Sequence, residues 1–234
     1  MIASTYPDFG TNYNDWSYLS ERGILAPTND DVDEINTIML SMLPGDVKTY
    51  LSCDTLSNSN DCGPFSDMEP PELLHSLKIS GLPNHCLELK VGAPVILLRN
   101  LNQSVGLCNG TRLIISKLGD RVIEAKVISG SKVGETVLIP RIDLTPSNLP
   151  DLQLKRRQFP LKLAFTMTIN KSQGQTFNRV GVYLPRPVFT HGQLYVALSR
   201  VSSPSGLKVL ICNKRGAPLD VTKNAVYMDV LHHL

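Results

Sequence analysis

Short apolar runs broken by polar turns dominate the chain, and their spacing changes twice along its length. Residues 23–26 form an apolar run closed by Pro27, the pattern of a buried strand. Thr28 or Asn29 can then cap a helix. Asp30, Asp31, Asp33 and Glu34 fill its first turn, where carboxylates complement the dipole. Val32, Ile35, Ile38, Met39, Met42 and Leu43 give it one apolar face, and Pro44-Gly45 stops it. Residues 47–52 alternate as a strand, 53–71 read as a polar, proline-bounded loop, and Pro70-Pro71 can open a short helix through Ile79. Residues 1–21 show no periodicity and read as a linker or a remnant of an upstream domain.

From residue 86 the rhythm becomes that of short strands, at 87–89, 95–98, 112–115, 121–128 and 136–139, with Gly119-Asp120 as a hairpin turn. So many short strands in a row predict a small barrel inserted into a larger α/β domain. After Arg157 longer elements return: strands at 161–168, 180–184 and 207–211, a helix over 192–199, and a helix finishing the chain. Apolar strands alternating with helices predict a mostly parallel sheet. The expected division is 22–87 with 159–234 as the α/β domain and 88–158 as the inserted barrel.

At 234 residues and 42% hydrophobic, the chain can bury a core without disulfides or metals. No apolar run approaches the roughly 18 residues of a membrane span, and the first ten residues carry neither a basic start nor an apolar stretch. The five cysteines lack a CxxC pair and read as reduced thiols of an intracellular protein, neither a disulfide framework nor a zinc site. Charge is more informative. Residues 1–151 carry 11 Lys+Arg against 19 Asp+Glu, whereas residues 152–219 carry 11 Lys+Arg and no acid. Such a window faces phosphates, or it folds against the acidic first part of the same chain.

Three segments could carry chemistry. FTMTINKSQGQTF, residues 165–177, runs from a strand into a turn with a lysine, small hydroxyls and a glycine. At the end of a parallel strand such a loop offers backbone N–H groups and a cation to phosphate, or it is a plain surface turn. In THGQLYVALSRV, residues 190–201, Thr190 and Gln193 have capping-box spacing, and Leu194, Ala197, Leu198 and Val201 line one face. Arg200 then projects near the helix end, either toward a phosphate or back onto the helix carbonyls. In ILAPTNDDVDEIN, residues 24–36, the Asp33-Glu34 pair lies within a helix rather than at a strand end, so it is not a magnesium-binding carboxylate pair. The phosphate-cradling pattern GxxxxGK[ST] occurs nowhere.

With LKVGAPVILLRNL (89–101) and GLCNGTRLII (106–115), these blocks resemble, in order, the petite-integration-frequency (PIF) family of DNA helicases, and most closely its plant and Helitron-transposon branch. The resemblance implies a second RecA-like motor domain interrupted by a small Src-homology-three-type β-barrel. It also implies ATP- and Mg2+-dependent 5′–3′ movement on single-stranded DNA, in repair, recombination or telomere maintenance, in the nucleus or alternatively the mitochondrion. Thr28 and Asn29 match the motif that touches the DNA backbone and supports the nucleotide pocket. Thr168, Asn170 and Lys171 match the strand-end residues that hold DNA phosphates. Gly174 and Gln175 match that motif's nucleotide-facing part, and Arg200 matches the catalytic arginine finger. Many relatives carry histidine at Asn170; asparagine keeps a hydrogen-bond donor but cannot carry charge. The family's first RecA-like motor domain supplies the Walker lysine, the magnesium carboxylate and the water-positioning glutamine. This chain then holds one wall of the nucleotide site, contains no metal ligand of its own and is not expected to hydrolyse ATP alone. The alternatives are a non-catalytic single-stranded DNA-binding module and an inactive transposon-derived relic.

Overall fold

A computed structural model describes residues 1–56, 71–146, 154–213 and 215–227. Its helices are α1 (Ile2–Thr5), α2 (Phe9–Asn12), α3 (Trp16–Ser20), α4 (Asn29–Met42), α5 (Pro71–Ser76) and α6 (Gln193–Leu198). The strands run β1 (Arg22–Ala26), β2 (Lys48–Leu51), β3 (Cys53–Leu56), β4 (Cys86–Leu89), β5 (Pro94–Leu97), β6 (Arg112–Leu118), β7 (Val122–Val127) and β8 (Thr136–Pro140). They continue with β9 (Ile142–Leu144), β10 (Leu154–Gln158), β11 (Leu161–Leu163), β12 (Thr166–Thr168), β13 (Arg179–Leu184), β14 (Leu207–Cys212) and β15 (Pro218–Leu219). The chain divides into two compact units, Met1–Pro44 with Leu163–Leu234, and Gly45–Lys162.

The first unit is an α/β fold on a sheet ordered β12-β1-β13-β14-β15, whose first four strands are parallel. Strands buried on both faces of such a sheet read as continuous apolar runs, as in residues 23–26 and 180–184. Helix α4 buries Val32, Ile35, Met39 and Leu40, while Ile38 and Met42, assigned by periodicity to the same face, are exposed. Within α4, buried Asn36 donates to the carbonyls of Leu163 and Thr166 and accepts from the Thr166 N–H, fastening the helix to the sheet edge.

A linker over residues 1–21 is corrected. Those residues form α1, α2 and α3 and bury Tyr6, Phe9, Tyr18 and Leu19. The Tyr6 hydroxyl donates to the Phe165 carbonyl at 2.7 Å, and its ring meets Phe165 edge-on. Helices of four or five residues are too short to show a 3.6-residue repeat, so periodicity misses them. The helix expected at the end of the chain is absent over 220–227, and residues 228–234 lie outside the described residues.

A close backbone approach gives this unit a sharp test. A Cβ on Gly206 would overlap the carbonyl oxygen of Asn178, which has no rotamer by which to move away. Gly206→Ala is therefore expected to cost about 1–3 kcal/mol, read as a lowered midpoint in thermal unfolding.

In the second unit β2 with β4, β10 with β3 and β9, and the run β5 to β8 pair antiparallel. Its sheets are β11-β5-β6-β7-β8, β3-β10-β9 and β2-β4, an arrangement consistent with the small inserted barrel. Gly119 turns β6 into β7: its N–H donates to the Val122 carbonyl, and a Cβ would meet that same oxygen at 2.5 Å. Two expectations change here. Cys53–Leu56, placed in a loop, is a strand paired with Leu154–Gln158, a partner about a hundred residues away that no local pattern reveals. The remainder of that expected loop, 57–70, lies outside the described residues. The expected strand at 161–168 is two strands, β11 beside β5 in this unit and β12 beside β1 in the other. The pairings of β2 with β4 and β3 with β10 also draw 45–87 into this unit rather than into the α/β domain. Among the described residues, no helix is long and apolar enough to cross a membrane.

Candidate nucleic-acid and nucleotide site

Strands β1 and β12 are parallel neighbours with Ala26 opposite Thr168. Parallel strands in register release their following loops at the same edge of the sheet, where ligands bind in open α/β folds. The Thr28-Asn29 turn and the 168–172 turn therefore emerge side by side. Thr168 and Lys171 are half-buried, and Asn170 and Asn29 are exposed. Ser172 is buried and donates to the Ile169 carbonyl at 2.6 Å, closing a 3-10 turn over Ile169–Ser172.

Thr28 caps α4, as its residue type predicts. Its hydroxyl accepts from the Asp31 N–H and donates to the Asp31 carboxylate, so the side chain is committed within the helix start. Asp31 also accepts from Arg186 at 3.1 Å. Arg186 was not singled out from sequence, although it lies just beyond the apolar strand β13 inside the acid-free window. That position was the available signal.

Gly174, Gln175 and Arg200, matched by the resemblance to the nucleotide side, form a second group joined to the first. Gly174 turns the chain with φ +80°, a conformation that favours glycine. Gln175 then reaches back, its Nε2 donating to the Lys171 carbonyl at 3.4 Å, while its own carbonyl accepts from Arg200 Nη1 at 3.2 Å. Arg200 also donates through Nε to the Val196 carbonyl at 3.0 Å and through Nη2 to the Ser199 hydroxyl at 2.8 Å. The carbonyl-capping arrangement is thus present. It uses three of the five guanidinium N–H donors and fixes the group beside Gln175. The Phe177 N–H donates to the Arg200 carbonyl, tying the end of the 165–177 segment to the end of α6.

Helix α6 starts one residue later than expected, and Gly192, not Thr190, occupies its cap position. The reach-back half of the capping box is nevertheless made, because the Gln193 Oε1 accepts from the N–H groups of Phe189 and Thr190. Around this helix Phe189, Tyr195 and Leu198 are exposed, Tyr195 by 74%.

Part of the charge window folds against the acidic first part of the chain. Lys155 and Arg157 pair with Asp143, Arg156 pairs with Asp54, and Arg186 pairs with Asp31, all acids of the first 151 residues. Asp33 and Glu34 lie inside α4, as the sequence places them.

The profile described as "DNA helicase Pif1, 2B domain" matches residues 72–118, within the second unit. The chain is similar to the ATP-dependent DNA helicase PIF1 of Homo sapiens, at 37% identity over 80% of this chain and 26% of that protein. It therefore spans about a quarter of the length of the curated relatives it matches. In fold it is similar to the crystal structure of Pif1 helicase from Candida albicans, at 28% identity and a TM-score of 0.62, covering 92% of this chain and 52% of that one. A Pif1 helicase from Bacteroides, solved in complex with ADP-AlF3 and ssDNA, has the same fold, with a TM-score of 0.61 and 21% identity over 98% of this chain and 52% of that one.

Proposed function

The chain belongs to the Pif1 helicase family, and on that premise we propose that it is the second motor lobe of an ATP-dependent 5′–3′ DNA helicase of the plant and Helitron-like branch. The observation that carries this reading is the continuous loop from Thr168 to Gln175, which joins a cationic strand end to the Arg200 guanidinium through two hydrogen bonds. Single-stranded DNA lies along the strand ends, its phosphates met by Lys171, Asn170 and Thr168, with Asn29 and the first amides of α4 beside them. The hydroxyl of Thr28 orders that helix start rather than reaching the DNA. ATP sits against Gly174 and Gln175, and Arg200 meets its γ-phosphate.

Phosphoryl transfer places charge on the equatorial oxygens of the transferring group, and a fixed guanidinium stabilises that charge as it develops. On the family resemblance, the magnesium ligands, like the phosphate cradle, belong to the first motor domain. That domain is the partner the reading requires. The exposed Phe189, Tyr195 and Leu198 support a covering partner at this face. DNA repair, recombination or telomere upkeep in the nucleus, or in the mitochondrion, belongs to the same reading.

By itself the chain is then a single-stranded DNA binder. Fluorescence anisotropy with a labelled oligothymidylate should show affinity falling steeply with salt. Lys171→Ala should weaken binding several-fold and reduce the slope by about 0.7, the value for one phosphate contact on a single strand. Undetectable binding, or binding indifferent to salt, contradicts the DNA-side assignment.

A further inference from the structure

A cluster with no part in the helicase reading lies in the Gly45–Lys162 unit. Asp54 on β3, His75 on α5 and His85 just before β4 each present a donor atom, all within 4.8 Å of one another. The two imidazole rings stack with centroids 3.7 Å apart and planes 15° apart.

The hydrogen bonds decide which nitrogen of His85 carries the proton. The ionised Asp54 carboxylate can only accept, so the Ser52 hydroxyl donates to Asp54 Oδ1 at 2.6 Å. That hydroxyl must then accept from His85 Nδ1, 2.8 Å away, which places the proton on Nδ1 and leaves the Nε2 lone pair outward. A histidine whose second N–H is fixed through a relay to a carboxylate is the usual arrangement behind a metal-ligating imidazole. Burial and the neighbouring His75 push the His85 pKa below its ordinary value. Arg156 is the other charge facing the cluster and is neutralised by Asp54. The Asp54 carboxylate accepts from Ser52, from Arg156 Nε through both oxygens and from Arg156 Nη2, so ligation requires it to release one of these bonds.

We propose that His75, His85 and Asp54 bind one divalent transition-metal ion of the zinc class, stapling α5 to β3 and to the start of β4. Two imidazoles with one carboxylate suit zinc and disfavour calcium or magnesium, which prefer all-oxygen sites. Nitrogens about 2.1 Å from a tetrahedral zinc lie about 3.4 Å apart, within the 4.8 Å that bounds the donor atoms of the cluster. Ligation requires the two rings to fan out of their stack.

The test is a titration of the metal-free full chain with Zn2+ against a chromophoric chelator, and with Co2+ followed by its visible absorption. One equivalent should bind, with the intense bands of four-coordinate cobalt. His75→Ala and His85→Ala should each weaken binding at least about a hundredfold, and Ser52→Ala by about ten- to a hundredfold. A chain carrying His232→Ala and His233→Ala should bind as the original does, which excludes the tail histidines. The unaltered chain gives a readout free of variant folding. Of its five histidines, two should show shifted ring-proton NMR signals when one equivalent of zinc is added. No bound equivalent, binding that survives His75→Ala with His85→Ala, binding lost in the tail variant, or ring signals unmoved by zinc would each overturn the site.

Discussion

Arg200→Ala is expected to lower the DNA-stimulated ATP hydrolysis of this chain, paired with a first motor domain carrying the phosphate cradle, by about a thousandfold or more. The size follows from what a guanidinium does in phosphoryl transfer. It adds a preorganised positive charge in a site with little water, where its interaction with the developing negative charge is far stronger than in solvent. The Val196 carbonyl, the Ser199 hydroxyl and the Gln175 carbonyl already hold Arg200, so little rotamer entropy is lost when nucleotide arrives. Arg200→Lys should not rescue the rate, because an ammonium cannot keep those bonds and reach a phosphate in the same geometry. Steady-state hydrolysis at saturating DNA measures the effect. Circular dichroism of the variant separates it from loss of the helix cap. Equal rates with and without Arg200 contradict the finger assignment.

Arg156→Ala should cost about 3–5 kcal/mol of stability, the scale for removing one partner of a buried ion pair. Arg156 and Asp54 are fully buried side chains. Nε and Nη2 of Arg156 grip the Asp54 carboxylate, and its remaining N–H groups donate to the carbonyls of Leu77, Pro83 and Leu74. All five donors are thereby used, and the α5 segment is held to β10 and β3 by one side chain. The alanine variant leaves a buried carboxylate and three carbonyls without that donor.

The pH dependence gives the same account a sign. Burial pushes the Asp54 carboxyl up, but hydrogen bonds from Arg156 and Ser52 outweigh it and hold the group below the usual carboxylate range. The stabilisation is therefore complete above the unfolded value, near pH 4, and is lost as pH falls through the lower folded value. Without Arg156 burial is opposed only by the Ser52 hydrogen bond and His85, so the folded value rises and the variant should lose less stability than the unaltered chain as pH falls through and below 4. Urea unfolding across that range checks both the magnitude and the sign. A cost below about 1 kcal/mol would contradict the pairing.

The same residue shows where sequence reading stops. The run Leu154–Gln158 alternates strictly, with Leu154, Arg156 and Gln158 buried and Lys155 and Arg157 exposed. Read by charge, all three cations belonged to a window that either faces phosphates or folds against the acidic first part of the chain. The period of two, applied to Leu154 and Gln158, would have turned Arg156 inward, and its carboxylate partner sits on a strand more than a hundred residues earlier. Strand β1, helix α4 with its Thr28 cap, the hairpin at Gly119 and strands β13 and β14 were legible because each is dictated by neighbours in the chain. The amino-terminal helices were not, since their order comes from Tyr6 and Phe9 packing on Phe165. The loop at 168–175 and Arg200 were legible as residue types at strand and helix ends. Their joining through Gln175 was not, because it depends on where α6 lies against the 3-10 turn.

The measurement closest to the central claim is ATP hydrolysis by the unaltered chain mixed with a separately made first motor domain, with and without single-stranded DNA. A second motor lobe predicts hydrolysis in the mixture that neither part shows alone, rising when DNA is added. A mixture no more active than the first domain by itself, at concentrations where both are folded, would contradict it.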